Sequence, residues 1–394
     1  MLRFRGPDNV LPLLRTDIVT DPDRQALTGI GQIGIGIMDP VHVVELSAPG
    51  YEKVLRAEEP SRGWCATIAV HDTTLGPALG GLRMWKYASR EEALTDVLRL
   101  ARGMTYKSAV ARTGLGGGKA VVIGDSQKDK SDELFFWLGR FVETLKGRYI
   151  TAEDVGTSVL DLDLVARETK WVTGRAREVG GSGDPSLFTA LGVFISVQTS
   201  LKEVFGSPEV KGKRVAIQGL GHVGYWLAKN LAEAGAKLFV TDLHPQRVER
   251  VVKEFGAKAV AQETVHATDC DVYSPCALGA VLNDQTIPEI RAKIVCGAAN
   301  NQLLEERHGE ALMQRGILYA PDYVVNAGGI LNISVELSPK GYDEKVAEER
   351  VRGIGRSLAD VFAHAKSRAI PTARAADEVA QAILAEGKQK GRAR

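Results

Sequence analysis

Cysteine is scarce. The four that occur, Cys65, Cys270, Cys276 and Cys296, form no C-x-x-C pair, which excludes a disulfide framework and, with the histidines scattered, a zinc site. A metal-free protein of a reducing compartment, the cytoplasm, is expected. Excess charge of either sign is missing as well: 50 Lys+Arg against 49 Asp+Glu leave a net +1, so no global field draws the chain to nucleic acid or to an anionic membrane. No uninterrupted apolar run reaches the ~18 residues that span a bilayer, and Gly31 to Ile37 is both short and broken by glycine. Internal repeats and the His/Asp/Ser order of a hydrolase are also absent. A small-molecule partner is left as the default.

What is present is enough for two or three cores: 394 residues, 44% apolar and 25% charged, the balance of a folded globular chain. Residues 1–37, with four Arg, four Asp and no sustained period, read as a peripheral arm of unknown role. Its acids argue against a transit peptide, and Met38 is an alternative start. From Val41 strand-like and helix-like stretches alternate. Cys65 to Val70 has a strand's character. Ser89 with Glu92 signals a capping box before a helix whose Leu94, Val97, Leu98, Ala101 and Met104 share one face. Lys119 to Ile123 reads as a buried strand. Gly180 to Pro185 is a loop that predicts a hinge before a helix over Leu187 to Val204. Strands at Arg214–Gln218, Lys237–Thr241, Asp271–Ser274, Lys293–Cys296 and Gly316–Tyr319 then alternate with helical stretches, as a doubly wound α/β sheet requires. Asp343 to Glu386 is helical in pattern, and the basic tail from Gly387 reads as a solvated end.

Glycine, 42 residues in all, concentrates in clusters that carry chemistry. Gly219, Gly221 and Gly224, with His222 and Val223 between them, join a buried strand to a helix, and Asp242 follows 23 residues after the first. The spacing predicts a dinucleotide site: a tight turn at Gly219, close approach of a pyrophosphate at Gly221, and helix-on-strand packing at Gly224. Asp242 at the end of the next strand accepts a ribose diol and opposes a 2′-phosphate, favouring NAD over NADP, with Arg247 able to moderate that choice. A turn that binds nothing is the alternative. In Gly103-Met-Thr-Tyr-Lys107 and Leu115-Gly-Gly-Gly-Lys119, glycines before a lysine clear space for a ligand or for another backbone. If Lys107 and Lys119 converge in a cleft, each depresses the other's pKa and one becomes a base near neutral pH; otherwise they are surface lysines. Glu153 and Asp154 close a short apolar run, while Asn300, Asn301 and Asn326 follow small residues. Each of these is a candidate site residue or an ordinary turn former.

Gly76-Pro-Ala-Leu-Gly-Gly-Leu-Arg-Met84, Met104 to Lys107, Gly116 to Lys119, Ala152-Glu-Asp-Val-Gly-Thr157, Gly219 to Gly224 and Asn326-Ala-Gly-Gly329 together resemble the glutamate/leucine/phenylalanine/valine dehydrogenase family, most of all its leucine dehydrogenase branch. The resemblance covers about residues 40–350 and implies a two-domain α/β enzyme that deaminates an aliphatic L-amino acid oxidatively and reversibly with NAD, and that assembles as a homo-oligomer. It implies a substrate domain over 38–180, completed by C-terminal helices from about 350 to 394, an NAD domain over 181–349, and an active site in the cleft between them. By motif, Lys107 binds the substrate α-carboxylate, Lys119 is the catalytic lysine and Asp154 relays protons. Gly80 and Gly81 adjoin the substrate, and Asn300 and Asn326 hold the nicotinamide ribose and the substrate amino group. In the glutamate branch a lysine stands where Leu79 stands here. With Ala152, Ile330 and Ile333 also apolar, a side-chain carboxylate would lie unpaired at a cost of several kcal/mol. Leucine, valine or isoleucine are therefore expected over glutamate. A phenylalanine- or tryptophan-type dehydrogenase, a hydroxy-acid dehydrogenase and a non-catalytic NAD-binding sensor are the rivals.

Overall fold

The computed structural model describes residues 32–38 and 41–392. Two sheets organise it. The first has seven strands: β1 (Gln32–Met38), β2 (Val41–Leu46), β3 (Lys53–Glu59), β4 (Trp64–Asp72), β5 (Ala78–Trp85), β6 (Gly116–Ile123) and β7 (Tyr149–Glu153), in the order β1-β2-β3-β4-β6-β5-β7. β5 runs parallel to both of its neighbours, and the remaining pairs are antiparallel. Alternation along the strands divides their side chains between two apolar layers. Ala66, Ile68, Ala120 and Val122 pack with Phe135, Trp137 and Phe141 of the helix Asp132–Glu143. Ala69 and Val121 pack with Val97, Leu98 and Ala101 of the helix Arg90–Val110. Helices thus cover both faces of the central strands, which accounts for the near-continuous burial of β4 and β6.

The second sheet is wholly parallel: β8 (Arg214–Gln218), β9 (Lys237–Thr241), β10 (Lys258–Ala259), β11 (Val272–Pro275), β12 (Ile294–Val295) and β13 (Leu318–Tyr319), in the order β10-β9-β8-β11-β12-β13. Counted from β8, that is the 3-2-1-4-5-6 winding of dinucleotide-binding sheets, whose order reverses between β8 and β11. Helix Ser186–Phe205 leads into it. By length and composition this helix could cross a membrane, although no uninterrupted apolar run predicted one. In the fold, Phe188 packs beneath the cavity described below, while Val193, Val197 and Leu201 join the core of the second sheet.

Local signals act with small displacements. Ser89 Oγ accepts from Glu92 N (3.1 Å), but the Glu92 carboxylate takes Ala88 N (2.6 Å) rather than the cap's own N–H. The helix also runs past Lys107 to Val110. Two readings change outright. Part of the predicted arm is a sheet edge: β1, in which isoleucine and glycine alternate, pairs antiparallel with β2. Residues 1–31 lie outside the described residues. The basic tail as far as Arg392, residues 393–394 lying outside the described residues, is not a loose end either, because helix Thr372–Arg392 includes it and lies along helix Arg90–Val110. There Gln381 Nε2 donates to the Tyr106 hydroxyl (3.0 Å), and Lys388 pairs with Asp72 (3.1 Å) beyond the helix.

Candidate active site

The triple glycine before Lys119 answers the choice between ligand and backbone. A Cβ on Gly117 would lie 2.0 Å from Thr105 N, one on Gly116 2.2 Å from Asp72 O, and one on Gly118 2.8 Å from the Tyr149 ring. The glycines therefore press β6 against helix Arg90–Val110 and the neighbouring strands. Lys107 and Lys119 are brought to one cavity by that approach.

The cavity lies between the two sheets' units. Gly80, Gly81, Lys107, Lys119, Ala152, Glu153 and Asp154 line it from the first, and Val223, Asn300, Asn326, Ile330 and Ile333 from the chain after residue 181. Lys119, 5% exposed, places its Nζ 2.7 Å from Asp154 Oδ2. Gly81 has to be small here, since a Cβ would lie 2.6 Å from that of Asp154 and 3.2 Å from Lys119 Nζ. Asp154 is anchored through Thr157, whose hydroxyl accepts from Asp154 N (3.0 Å) and contacts Leu82 O (2.9 Å). Burial pushes its carboxyl pKa up, but the Lys119 ammonium and the Arg83 guanidinium outweigh burial and hold it below the ordinary value. The expected depression between the lysines falls on Lys107, whose pKa is pushed down to about 8, chiefly by burial and further by Lys119, against the pull of Asp322 and Asp154.

On the other wall, Asn326 Nδ2 donates to Asn300 Oδ1 (2.7 Å) and Ala298 O (3.0 Å), while buried Asn326 Oδ1 has no partner. That acceptor fits an N–H or O–H of a bound molecule. At the switch point a Cβ on Gly219 would lie 2.6 Å from that of Ala277, and one on Gly224 2.0 Å from Gly219 O, yet nothing lies within 4 Å of one on Gly221. Two glycines are required by packing and the third faces open space at the helix start His222–Glu233, which is the cradle a pyrophosphate needs. Asp242 accepts from Leu220 N (2.7 Å) and His244 N (2.8 Å). Burial raises its pKa, and those bonds with Arg247 outweigh burial and keep it ionised. Arg247 does reach it, at 3.5 Å.

Two predicted residues stand elsewhere. The His222 side chain turns outward and pairs with Asp184 of the Gly180–Pro185 loop (3.3 Å), leaving its backbone at the helix start. Leu79 is wholly buried and is not part of the cavity wall: it belongs to the apolar cluster with Leu115, Ile150, Phe188 and Ile330, against which Ile333 packs. Leu79 shares a face of β5 with Gly81, whose Cβ position meets Asp154 and Lys119, but it stands one pleat farther back along the strand, beside Ile150, where Phe188 and Ile330 cover it. Gly174, by contrast, was not foreseen. It closes the apolar end of the cavity at φ +73, its Cβ position 3.9 Å from Ile333 and 4.0 Å from Ala152, and its N–H is held by Glu336 (3.0 Å). Nothing in its local sequence distinguishes it from other turn glycines.

The family pattern described as "Glu/Leu/Phe/Val dehydrogenase, dimerisation domain" matches residues 53–171, and that described as "Glutamate/Leucine/Phenylalanine/Valine dehydrogenase" matches 180–243 and 239–390. The chain belongs to the glutamate/leucine/phenylalanine/valine dehydrogenase family. The amino acid dehydrogenase is 53% identical over 331 residues to the leucine dehydrogenase of Geobacillus stearothermophilus, covering 84% of this chain and 90% of that one. It is 45% identical over 344 residues to the valine dehydrogenase of Streptomyces coelicolor, covering 86% and 94%. Among solved structures, the L-tryptophan dehydrogenase of Nostoc punctiforme superposes with a TM-score of 0.77 at 42% identity, over 86% of this chain and 97% of that one. Like its relatives, the dehydrogenase oxidises an amino acid with a nicotinamide cofactor.

Proposed function

We propose that the chain deaminates branched aliphatic L-amino acids with NAD, the amino acid lying between the lysine pair and an apolar end formed by Ala152, Ile330, Ile333 and Gly174. That apolar end is the observation that carries the reading. Lys107 and Lys119 are the only cations on the cavity wall among the described residues, and both stand at the reacting end. A glutamate side chain would desolvate its carboxylate with no partner. Leu79 acts from behind, as packing beneath Ile330.

Lys107, held near pKa 8, becomes fully cationic beside a carboxylate and fixes the substrate's Cα. The Lys119 ammonium polarises the carbonyl oxygen of the 2-oxo acid and, in the deaminating direction, orients the water that attacks the iminium carbon, and Asp154, in contact with it, passes protons to and from the amino group. A nicotinamide dinucleotide, held with its pyrophosphate at the β8 turn, would supply the hydride acceptor. Asn326 Oδ1 and Asn300 would hold its ribose and the substrate nitrogen, Gly221 its pyrophosphate, and Asp242 the adenine-side ribose. Asp242 favours NAD; the Arg247 contact limits that preference rather than removing it. We divide the chain into a substrate domain over 38–180, to which β1 (Gln32–Met38) adds an edge strand, and an NAD domain over 181–349, with Ser357 Oγ donating to Val110 O (2.7 Å) and Lys388–Asp72 tying the last helices back to the first domain. Because the pattern matched over 53–171 is described as a dimerisation domain, we place a homo-oligomer contact there. The free thiols suit a reducing compartment such as the cytoplasm.

NADH formation across a panel of L-amino acids tests the reading. Leucine, valine and isoleucine should exceed glutamate in kcat/KM by about 10²-fold or more, and reduction of the matching 2-oxo acids should require ammonia. The tryptophan dehydrogenase likeness supports a second reading, an aromatic substrate. Tryptophan or phenylalanine ahead of leucine in the same panel would decide for it.

A further inference from the structure

Arg83 stands near the end of the apolar strand β5 (Ala78–Trp85) yet buries most of its side chain among three elements. β5 runs parallel to β7, with Leu82 beside Glu153, so a long side chain at position 83 reaches the residue that follows β7. Arg83 Nε lies 3.0 Å from Asp154 Oδ2, and its Nη1 lies 3.0 Å from Asp96 Oδ2 on the helix Arg90–Val110. Asp96 in turn accepts from the Tyr87 hydroxyl (2.6 Å) and from Arg99 (3.1 Å). On its other side Asp154 meets Lys119 at 2.7 Å. The groups form one alternating chain of charge, Lys119, Asp154, Arg83, Asp96, from the cavity floor outward. Both cations meet the same oxygen of Asp154, Oδ2.

Building on the reading of Asp154 as the proton relay, we infer that Arg83 is the positioning residue that fixes its carboxylate and keeps it ionised, with Asp96 and Tyr87 locking the guanidinium from behind. A planar fork is the right shape for this, because one cation holds two carboxylates at fixed angles, which a lysine's point charge cannot do. Without it, Asp154 would have Lys119 as its one cation, and that same lysine is needed by the substrate. Arg83 lets the aspartate stay anionic while Lys119 turns its charge to the reacting oxygen. Nothing in this role requires Arg83 to touch substrate.

Three variants decide the matter, measured as the full enzyme with leucine and NAD over a range of pH, alongside NADH affinity. Removing a neighbouring cation favours the protonated acid, so Arg83→Met should move the acid limb of kcat to higher pH by about one unit or more. NADH affinity should stay unchanged. Arg83→Lys keeps the charge but reaches only one of the two carboxylates, so it should leave the limb near its wild-type position while kcat falls several-fold. A folded Arg83→Met enzyme whose acid limb stays in place overturns the inference. If that variant does not fold, Arg83→Lys decides alone, and wild-type kcat there overturns it. Asp154→Asn separates this from the underlying reading: turnover retained in Asp154→Asn removes the relay and the Arg83 assignment with it, whereas loss of turnover in Asp154→Asn with an unmoved Arg83→Met profile removes the Arg83 assignment alone.

Discussion

Gly116–Gly118 and Gly219–Gly224 use the same residue for opposite ends. In the first cluster every glycine is filled from outside by protein: Thr105, Asp72 and the Tyr149 ring occupy the space a Cβ would need. In the second, Gly219 and Gly224 are filled in the same way, but Gly221 faces open space. The first cluster positions catalytic side chains by letting backbones touch, and the second leaves a gap for a ligand. A run of glycines in a sequence therefore announces close approach, while what approaches is decided by chain that lies elsewhere.

Substitution should separate the two. The largest effect is expected for Gly117→Ala, whose methyl would overlap the backbone of a buried helix. Thermal or denaturant unfolding should show a loss of at least ~3 kcal/mol, or no folded protein. Lys119→Ala, which removes what the first cluster positions, should lower kcat by roughly 10²-fold or more with NADH affinity retained; near-normal turnover would reduce the lysine pair to scaffold. Lys107 should show itself in pH dependence. It is depressed to about 8 and carries charge below that value, so affinity for a 2-oxo acid in the NADH complex should fall as pH rises through about 8. The slope should vanish in Lys107→Gln. Gly221→Ala should unfold like the wild type, because its φ of −63 suits any residue and the space is open. Its effect should be confined to a KM for NAD raised by about tenfold or less, the scale of crowding one phosphate contact. Equal unfolding losses in Gly117→Ala and Gly221→Ala would erase the contrast.

Features written within one element were legible in the sequence: five of the six strands of the second sheet to within two residues, the two-residue edge strand β10 (Lys258–Ala259) excepted, the glycine turn after β8 with Asp242, and the start of the helix at Ser89. The site residues were legible as motifs, and the structure brings Lys107, Lys119, Asp154, Asn300 and Asn326 to one cavity. What escaped depends on partners distant in the chain. The Glu336 that holds Gly174 is 162 residues away, and the Lys388 that ends the tail on Asp72 is farther still. Leu79 was placed on the right strand and the right face, but that Ile330 and Phe188 cover it and keep it off the cavity wall depends on chain more than a hundred residues later. β1 carried a period of two that its glycines disguised as a break.

Helix Thr372–Arg392 lies on helix Arg90–Val110, which carries Lys107 and is among the first made. A nascent chain must therefore make residues 372–392 before the first unit has its full covering. Until they emerge from the ribosome, helix Arg90–Val110 keeps an uncovered flank where that helix will lie. The first unit consequently cannot mature when its own strands are translated, and loss of residues 372–392 would damage a region made far earlier.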